Sequence, residues 1–373
     1  MSNAFVSANR LVAAARRVFS SRVKAVQLMV HGSPGQFRHG DVPDPVAGPD
    51  AVVVAVGACG LNHLDLWLEE AGLPIEVKLP RIPGGEVAGT ITVVGTNVRG
   101  WQTGDRVAVQ SNIFCGVCEF CQRGEESLCL TGQLLGVQVD GGFAERVKVP
   151  ARALVRLPDN VDFVTSAALT LAGSTAMHML TDRAQVRPGD WVLVVGGASG
   201  VGSAAIQITR QLGGRVIATG SNEAKRTLAT GLGAEFVVDA TASDWPAQVR
   251  QHTGRRGVDL VIEHVGGEVL NQALHCLARG GAVVTCGATA GRKVALDLWP
   301  FFVKQQRLIG SYGRNRADLE RTIEWAGRQL IRPVIDHTVS LAGVAEAFEL
   351  LRRRSVLGKI VITPTGEERP RGL

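Results

Sequence analysis

The chain has 373 residues, enough for two hydrophobic cores, and its 45% apolar and 20% charged residues mark a globular protein, not a disordered one. No apolar run approaches the ~18 residues that a membrane span requires, and an odd seven cysteines in a chain of this length argue against a disulfide scaffold. The net charge of +6 comes from residues 1–40, which hold six basic residues and no acid; the rest balances 34 basic against 34 acidic, so a nucleic-acid-binding surface is not indicated.

Residues 1–22 form a basic, acid-free extension with Leu11, Val12, Ala15, Val18 and Phe19 at helical spacing. It reads as an organellar transit peptide or amphipathic surface helix, or as an extension lying loosely on the first domain. Apart from that segment the chain reads as a cytoplasmic protein. From 23 to 158, short β-rich runs such as "AVVVAVG", "EVAGTITVVG" and "DRVAVQ" are broken by Gly, Pro and Asp, which predicts a mostly antiparallel, barrel-like domain.

Within it, Cys115, Cys118, Cys121 and Cys129 fall at C-x2-C-x2-C-x7-C in the loop 115–129. Four thiolates at these intervals fit one tetrahedral zinc with a full shell, which makes the metal structural. Cys59, Cys276 and Cys286 lie at strand or helix positions and read as small buried hydrophobes.

From 159 to 312 the texture becomes strand–helix alternation. "WVLVVGG", "RVIATGS", "EFVVDA", "VDLVIEHV", "AVVTCG" and "RLIGSYG" predict six strands of a doubly wound parallel sheet, giving an α/β fold. "VLVVGGASGVGSAAIQITRQLGG" places Gly197, Ser199 and Gly202 at the three G-x-G-x-x-G positions, with Ser199 at the middle one. Backbone N–H groups near Gly200 and Val201 then face a dinucleotide pyrophosphate. The second strand ends at Gly220, where an NAD-binding sheet carries an Asp or Glu, and Ser221, Asn222, Lys225 and Arg226 follow. Loss of the carboxylate next to cationic residues favours NADP(H). Residues 313–373 return to the first domain through a helix over 318–330, a strand at "HTVSL", a helix over 343–354 and a closing "GKIVIT" strand.

These motifs, with "PGGEVAGTITVVG", "GDRVAV", "GGFAERVKVP" and "GKIVI", resemble the medium-chain dehydrogenase/reductase superfamily from Val23 to Thr363. The resemblance implies a GroES-like β domain wrapped around an inserted Rossmann domain. Zinc alcohol dehydrogenases of that superfamily hold a catalytic zinc on a Cys, a His and a later Cys or Asp. Asn62, Gly85 and Leu171 stand at those places here, although Glu86 is kept. "GLN" before an acidic residue, with "GASGVG", resembles the quinone oxidoreductase branch, which lacks catalytic zinc.

That branch implies hydride transfer from NADPH to a quinone or carbonyl-conjugated alkene. It makes Asn62 a donor towards the nicotinamide ribose or substrate oxygen, while the resemblance to alcohol dehydrogenases implies a pyrophosphate contact at His63 and a nicotinamide contact at Thr175, with Trp67 in place of their relay His as a wall of an apolar pocket. Gly266, Cys286, Gly287 and Ser311 fall at strand ends lining the cofactor cleft, and Asp65 matches an acid that is usually structural. Relatives are commonly homodimers or homotetramers joined at the edge of the cofactor sheet. An enoyl-thioester reductase, a zinc alcohol dehydrogenase on relocated ligands (His63, Asp65, Glu86 or His178) and a non-catalytic nucleotide-binding regulator stand as alternatives.

Overall fold

The structure, a computed structural model, describes residues 22–366. The extension read at residues 1–22 therefore lies outside the described residues, except for Arg22, which opens β1.

The first domain contributes β1 (Arg22–Val30), β2 (Gln36–Pro43), β3 (Ala51–Leu61), β4 (Glu86–Val94), β5 (Arg106–Val109), β6 (Asn112–Ile113), β7 (Gln133–Leu134), β8 (Arg146–Pro150) and β9 (Leu154–Arg156). The inserted domain contributes β10 (Trp191–Val194), β11 (Arg215–Gly220), β12 (Phe236–Asp239), β13 (Val258–Glu263), β14 (Leu277–Thr285) and β15 (Arg307–Gly310). The chain then returns with β16 (Ile335–Ser340) and β17 (Lys359–Thr363).

The six inserted strands form one parallel sheet in the order β12-β11-β10-β13-β14-β15. Strand order reverses between β10 and β13, and a doubly wound sheet opens its ligand crevice at that switch point. The other large sheet runs β16-β17-β3-β4-β5-β9, with β8 also paired to β3. Its antiparallel β17–β3 pairing aligns Ile360 with Leu61 and Ile362 with Cys59. The last strand thus lies beside one of the first, and the GroES-like domain closes around the insertion.

The strand expected at "AVVVAVG" continues through "ACGL" to Leu61, which carries the chain directly to Asn62. The border expected after residue 158 is not a clean cut. Helix Phe163–Thr170 packs Val164, Ala167 and Ala168 against Ala58, Ala88 and Val361, and puts Leu169 into the core of the inserted domain. Among the described residues no single helix is long and apolar enough to cross a membrane; a bent helix pair passes that test of length and composition, but it is largely buried in this interior.

Phe348, on the returning helix Val344–Arg352, is 1% exposed, and its ring centroid lies 4.7 Å from Phe37 and 6.2 Å from Phe143. Phe348→Ala removes the aromatic body that joins the C-terminal return to the N-terminal strands. Urea unfolding should show a loss of about 3–5 kcal/mol.

Candidate active site

The dinucleotide loop follows β10. Ser199 caps helix Gly200–Gln211 by accepting the Gly202 N–H at 2.9 Å, and the N–H groups of Gly200 and Val201 open the helix without an intrahelical acceptor. A Cβ at Gly202 would collide with the Gly196 carbonyl, and one at Gly197 would come within 3.0 Å of Ala218. Only glycine lets this helix sit so close to the strand. The loop also touches the returning chain. The Gly358 N–H donates to the Ala198 carbonyl at 2.7 Å, and a Cβ at Gly200 would meet the stem of Lys359 at 2.6 Å.

A cleft of about 420 Å³ opens at the switch point. The loop, the end of β11, His63, His264 and the segment Leu351–Lys359 line it. Of the residues expected to hold the cofactor, His63, Ser199, Gly200, Val201, Ser221 and Lys225 line this cleft. Gly197 and Gly202 act behind it, as spacers.

Two expected ligands are turned elsewhere. Asn222 spends its side-chain oxygen on the Lys225 N–H at 2.9 Å as a helix cap, and Arg226 pairs with Asp239 at 2.8 Å. Arg226 has a different effect here: its stem lies 2.9 Å from any Cβ that Gly220 would carry, so an Asp or Glu would not fit there unless this helix start moved. Gly266, Cys286, Gly287 and Ser311 follow the ends of β13, β14 and β15, outside the lining of this cleft. Thr175 is buried on helix Ala172–His178, and Trp67 is half-buried on helix His63–Glu69, neither of them in the lining.

The positions that carry zinc ligands in the resembled dehydrogenases converge on one carboxylate. Glu86 is fully buried, and its Oε1 accepts the N–H groups of Leu171 at 2.6 Å and Ala172 at 2.9 Å. Its Oε2 accepts Asn62 Nδ2 at 2.9 Å and pairs with Lys359 Nζ at 2.6 Å. The Lys359 ammonium also donates to Asn62 Oδ1 at 2.6 Å and to the Leu61 carbonyl at 2.7 Å. All three of its N–H bonds therefore have acceptors.

Asn62, expected to point a donor at substrate, gives its N–H groups to Glu86 and, at 3.4 Å, to the Gly60 carbonyl. It positions the Glu86–Lys359 pair. Asp65 is likewise structural: its carboxylate accepts the N–H groups of Asn62 at 2.8 Å and Gly84 at 3.1 Å, while burial outweighs these bonds and raises it to about 6. The relocated ligands do not gather into a metal site. His178 is held by Asp318 at 2.8 Å, and among the described residues only the four loop cysteines form a group of three or more converging ligands.

Sequence reasoning missed Lys359, Arg354 and His264. The His264 ring faces Ser199 Oγ at 3.0 Å, and burial lowers its pKa to about 4. A histidine at the very end of a central strand, in "VIEHVGG", was a signal that could have been read, because such ends open into the cleft. His63, also lining the cleft, is lowered by burial and then by the Arg354 charge.

In the cysteine lobe the four sulfurs all lie within 4.8 Å of one another, with Cys118 and Cys121 at 3.5 Å and Cys115 and Cys121 at 3.9 Å. A tetrahedron of sulfurs at zinc–thiolate distance has edges of about 3.8 Å. Backbone N–H groups of Val117 and Cys118 donate to Cys115 Sγ at 3.4 and 3.3 Å and pull that thiol down to about 6. Donor type and geometry both fit a structural zinc.

A dinucleotide cleft between a Rossmann sheet and a GroES-like barrel defines a nucleotide-dependent dehydrogenase. Residues 48–159 match the alcohol dehydrogenase GroES-like domain, and residues 200–328 match the zinc-binding dehydrogenase domain. An alcohol dehydrogenase of Geobacillus stearothermophilus is 32% identical over 324 residues, covering 86% of this chain and 94% of its own. The crystal structure of an NAD-dependent alcohol dehydrogenase superposes with a TM-score of 0.87 at 36% identity, covering 91% of this chain and 99% of that one. A 2-octenoyl-CoA carboxylase reductase solved with NADP and 2-octenoyl-CoA also gives 0.87, at 25% identity over 94% of this chain and 89% of that one. The chain belongs to the medium-chain dehydrogenase/reductase superfamily, among its zinc alcohol dehydrogenase-like oxidoreductases.

Two outcomes follow from this geometry. Metal analysis should find one zinc per chain, and Cys118→Ser should lose it with a fall in melting temperature. In the cofactor-free protein, His264 stays neutral to about pH 4 when folded but protonates near 6.5 when unfolded. The unfolded chain therefore binds more protons in that window, and stability falls as the pH drops through it. His264→Phe should flatten this slope in a pH series of melting temperatures.

Proposed function

We propose that this oxidoreductase transfers hydride from NADPH to a quinone or carbonyl-conjugated alkene without a catalytic zinc. The observation that carries the reading is the Glu86 cluster: Asn62, Gly85 and Leu171 replace thiolate and imidazole, and the Lys359 ammonium supplies the local positive charge. An amide, a hydrogen and an alkyl chain leave no soft donors for zinc. Conjugated acceptors are already electrophilic, so hydride transfer to them does not require a metal Lewis acid.

When bound, NADPH supplies the hydride from C4 of its nicotinamide. Gly200 and Val201 would hold its pyrophosphate with their backbone N–H groups, and Ser221 and Lys225 would face its adenosine ribose. Gly220 supports NADPH over NADH, because no carboxylate stands there to repel a 2′-phosphate. Trp67 and Thr175 stand as the substrate wall and nicotinamide contact of this reading. The only tyrosine, Tyr312, is largely exposed, which leaves water as the proton source.

A second reading, alcohol oxidation with NAD, draws its support from the names of the relatives and of the NAD-dependent structural neighbour. The reductase solved with an enoyl-thioester supports an enoyl-CoA substrate in the same way. A homodimer or homotetramer is supported by the exposed Leu298, Trp299 and Phe302 beside the edge strand β15.

The decisive experiment follows NADPH consumption at 340 nm against enones, quinones and an enoyl-CoA, before and after chelation, with NADH in parallel. Chelator-resistant NADPH turnover is the expected result. Chelator-sensitive reduction of NAD⁺ or NADP⁺ by simple alcohols would overturn the proposal, and cofactor binding without turnover of any acceptor would point to a regulator.

A further inference from the structure

The adenosine end of the cleft carries a residue that does not belong to the cofactor domain. Helix Val344–Arg352 ends with Arg353, and Arg354 then takes a left-handed backbone at φ 55°. That place after a helix is often filled by glycine, because a Cβ is disfavoured in this region. Ala71, Gln305 and Gln329 take the same conformation one residue after other helix caps, so the angle alone singles out nothing; the surroundings of Arg354 do.

The Arg354 carbonyl accepts Lys225 Nζ at 2.9 Å, and its guanidinium donates through Nη2 to the Thr289 carbonyl at 3.3 Å. Lys225 also donates to Ser221 Oγ at 3.3 Å. Arg354, Lys225, Ser221 and Thr289 all line the cleft beside Gly220. One arginine of the returning chain therefore spans the cleft mouth, bonded to cofactor-domain residues on both sides. Among the described residues no carboxylate lies within ion-pair distance of Lys225 or Arg354, whereas Arg226 next door is neutralised by Asp239 at 2.8 Å. The two cations feel each other: after burial, the Arg354 charge is what lowers Lys225. An unbalanced ammonium and guanidinium beside a hydroxyl form a receptor for a phosphate monoester dianion.

We propose that Arg354, carried by the GroES-like domain, binds the 2′-phosphate of the cofactor together with Lys225 and Ser221 and so sets the preference for NADPH. This rests on the NADPH reading above and adds to it a determinant outside the Rossmann domain. The site lies at the end of β11, where the ribose sits in such sheets, and the pyrophosphate belongs to the glycine loop instead.

The test uses the full chain and its Arg354→Gly variant. Fluorescence titration gives the dissociation constants for NADPH and NADH, and calorimetry gives those for 2′,5′-ADP and 5′-AMP. The variant should bind NADPH and 2′,5′-ADP about tenfold or more weakly, and NADH and 5′-AMP unchanged within about twofold. Its melting temperature without cofactor should rise, because glycine relieves the left-handed strain. A parent that prefers NADPH with a variant that keeps the whole preference overturns this inference and leaves the NADPH reading standing. Equal weakening of all four ligands also overturns it, placing Arg354 on the pyrophosphate. A parent indifferent to the 2′-phosphate overturns the NADPH reading and this inference with it.

Discussion

A carboxylate with no exposed surface sits where the two domains meet, and its charge is compensated from both directions. Glu86 takes two backbone N–H groups from the junction between helices 163–170 and 172–178, and an ammonium from the last strand of the chain. Taking such a pair out of water is costly, and breaking one by removing a partner typically costs about 3–5 kcal/mol. The cluster persists because every acceptor and donor in it is satisfied. It ties β3, β4, the interdomain helices and β17 to one point, directly beneath the dinucleotide loop. The loop is thus positioned by the GroES-like domain as much as by its own sheet.

The same cluster is assembled without a zinc-ligating side chain at the three places that Asn62, Gly85 and Leu171 occupy. Here Asn62 bonds to Glu86 and Lys359, Leu171 contributes its backbone, and Gly85 contributes space, with a Cβ there falling 2.8 Å from the Leu135 carbonyl. Positive charge is retained as an ammonium, which donates hydrogen bonds but offers no open coordination position. The four-cysteine lobe, by contrast, keeps a complete soft donor set some distance along the chain.

Much of the fold was legible in the sequence because it is written in local periodicity: six apolar strands in alternation, a glycine turn, a four-cysteine spacing. Gly220 stood out in the sequence as a missing carboxylate, whereas the crowding of its Cβ position by Arg226 comes from the structure. Side-chain partners were harder. Arg226 looked like a ligand because charge beside the second strand normally faces the ribose, but Asp239 on the next strand claims it. Asn62 could be recognised as special, yet its partner Lys359 is 297 residues away, at a separation no window of sequence reveals. Arg354 was invisible in a run of three arginines, since only their partners separate them: Arg352 pairs with buried Glu69, whereas Arg354 reaches Lys225 and Thr289 of the inserted domain.

The pairing of β17 with β3 sets an order on biosynthesis. The inserted sheet is complete once residue 310 has emerged, and nothing in its strand order requires later residues. The surrounding domain has its first strands by then but lacks Lys359, so Glu86 has no cation to accompany it into the interior. Until the closing strand arrives, that half of the protein has a charged residue at its seam and the Cys59–Leu61 end of β3 without its β17 partner. A nascent chain of this kind carries the complete strand set of the nucleotide-binding sheet while Glu86 still waits for the strand that brings Lys359.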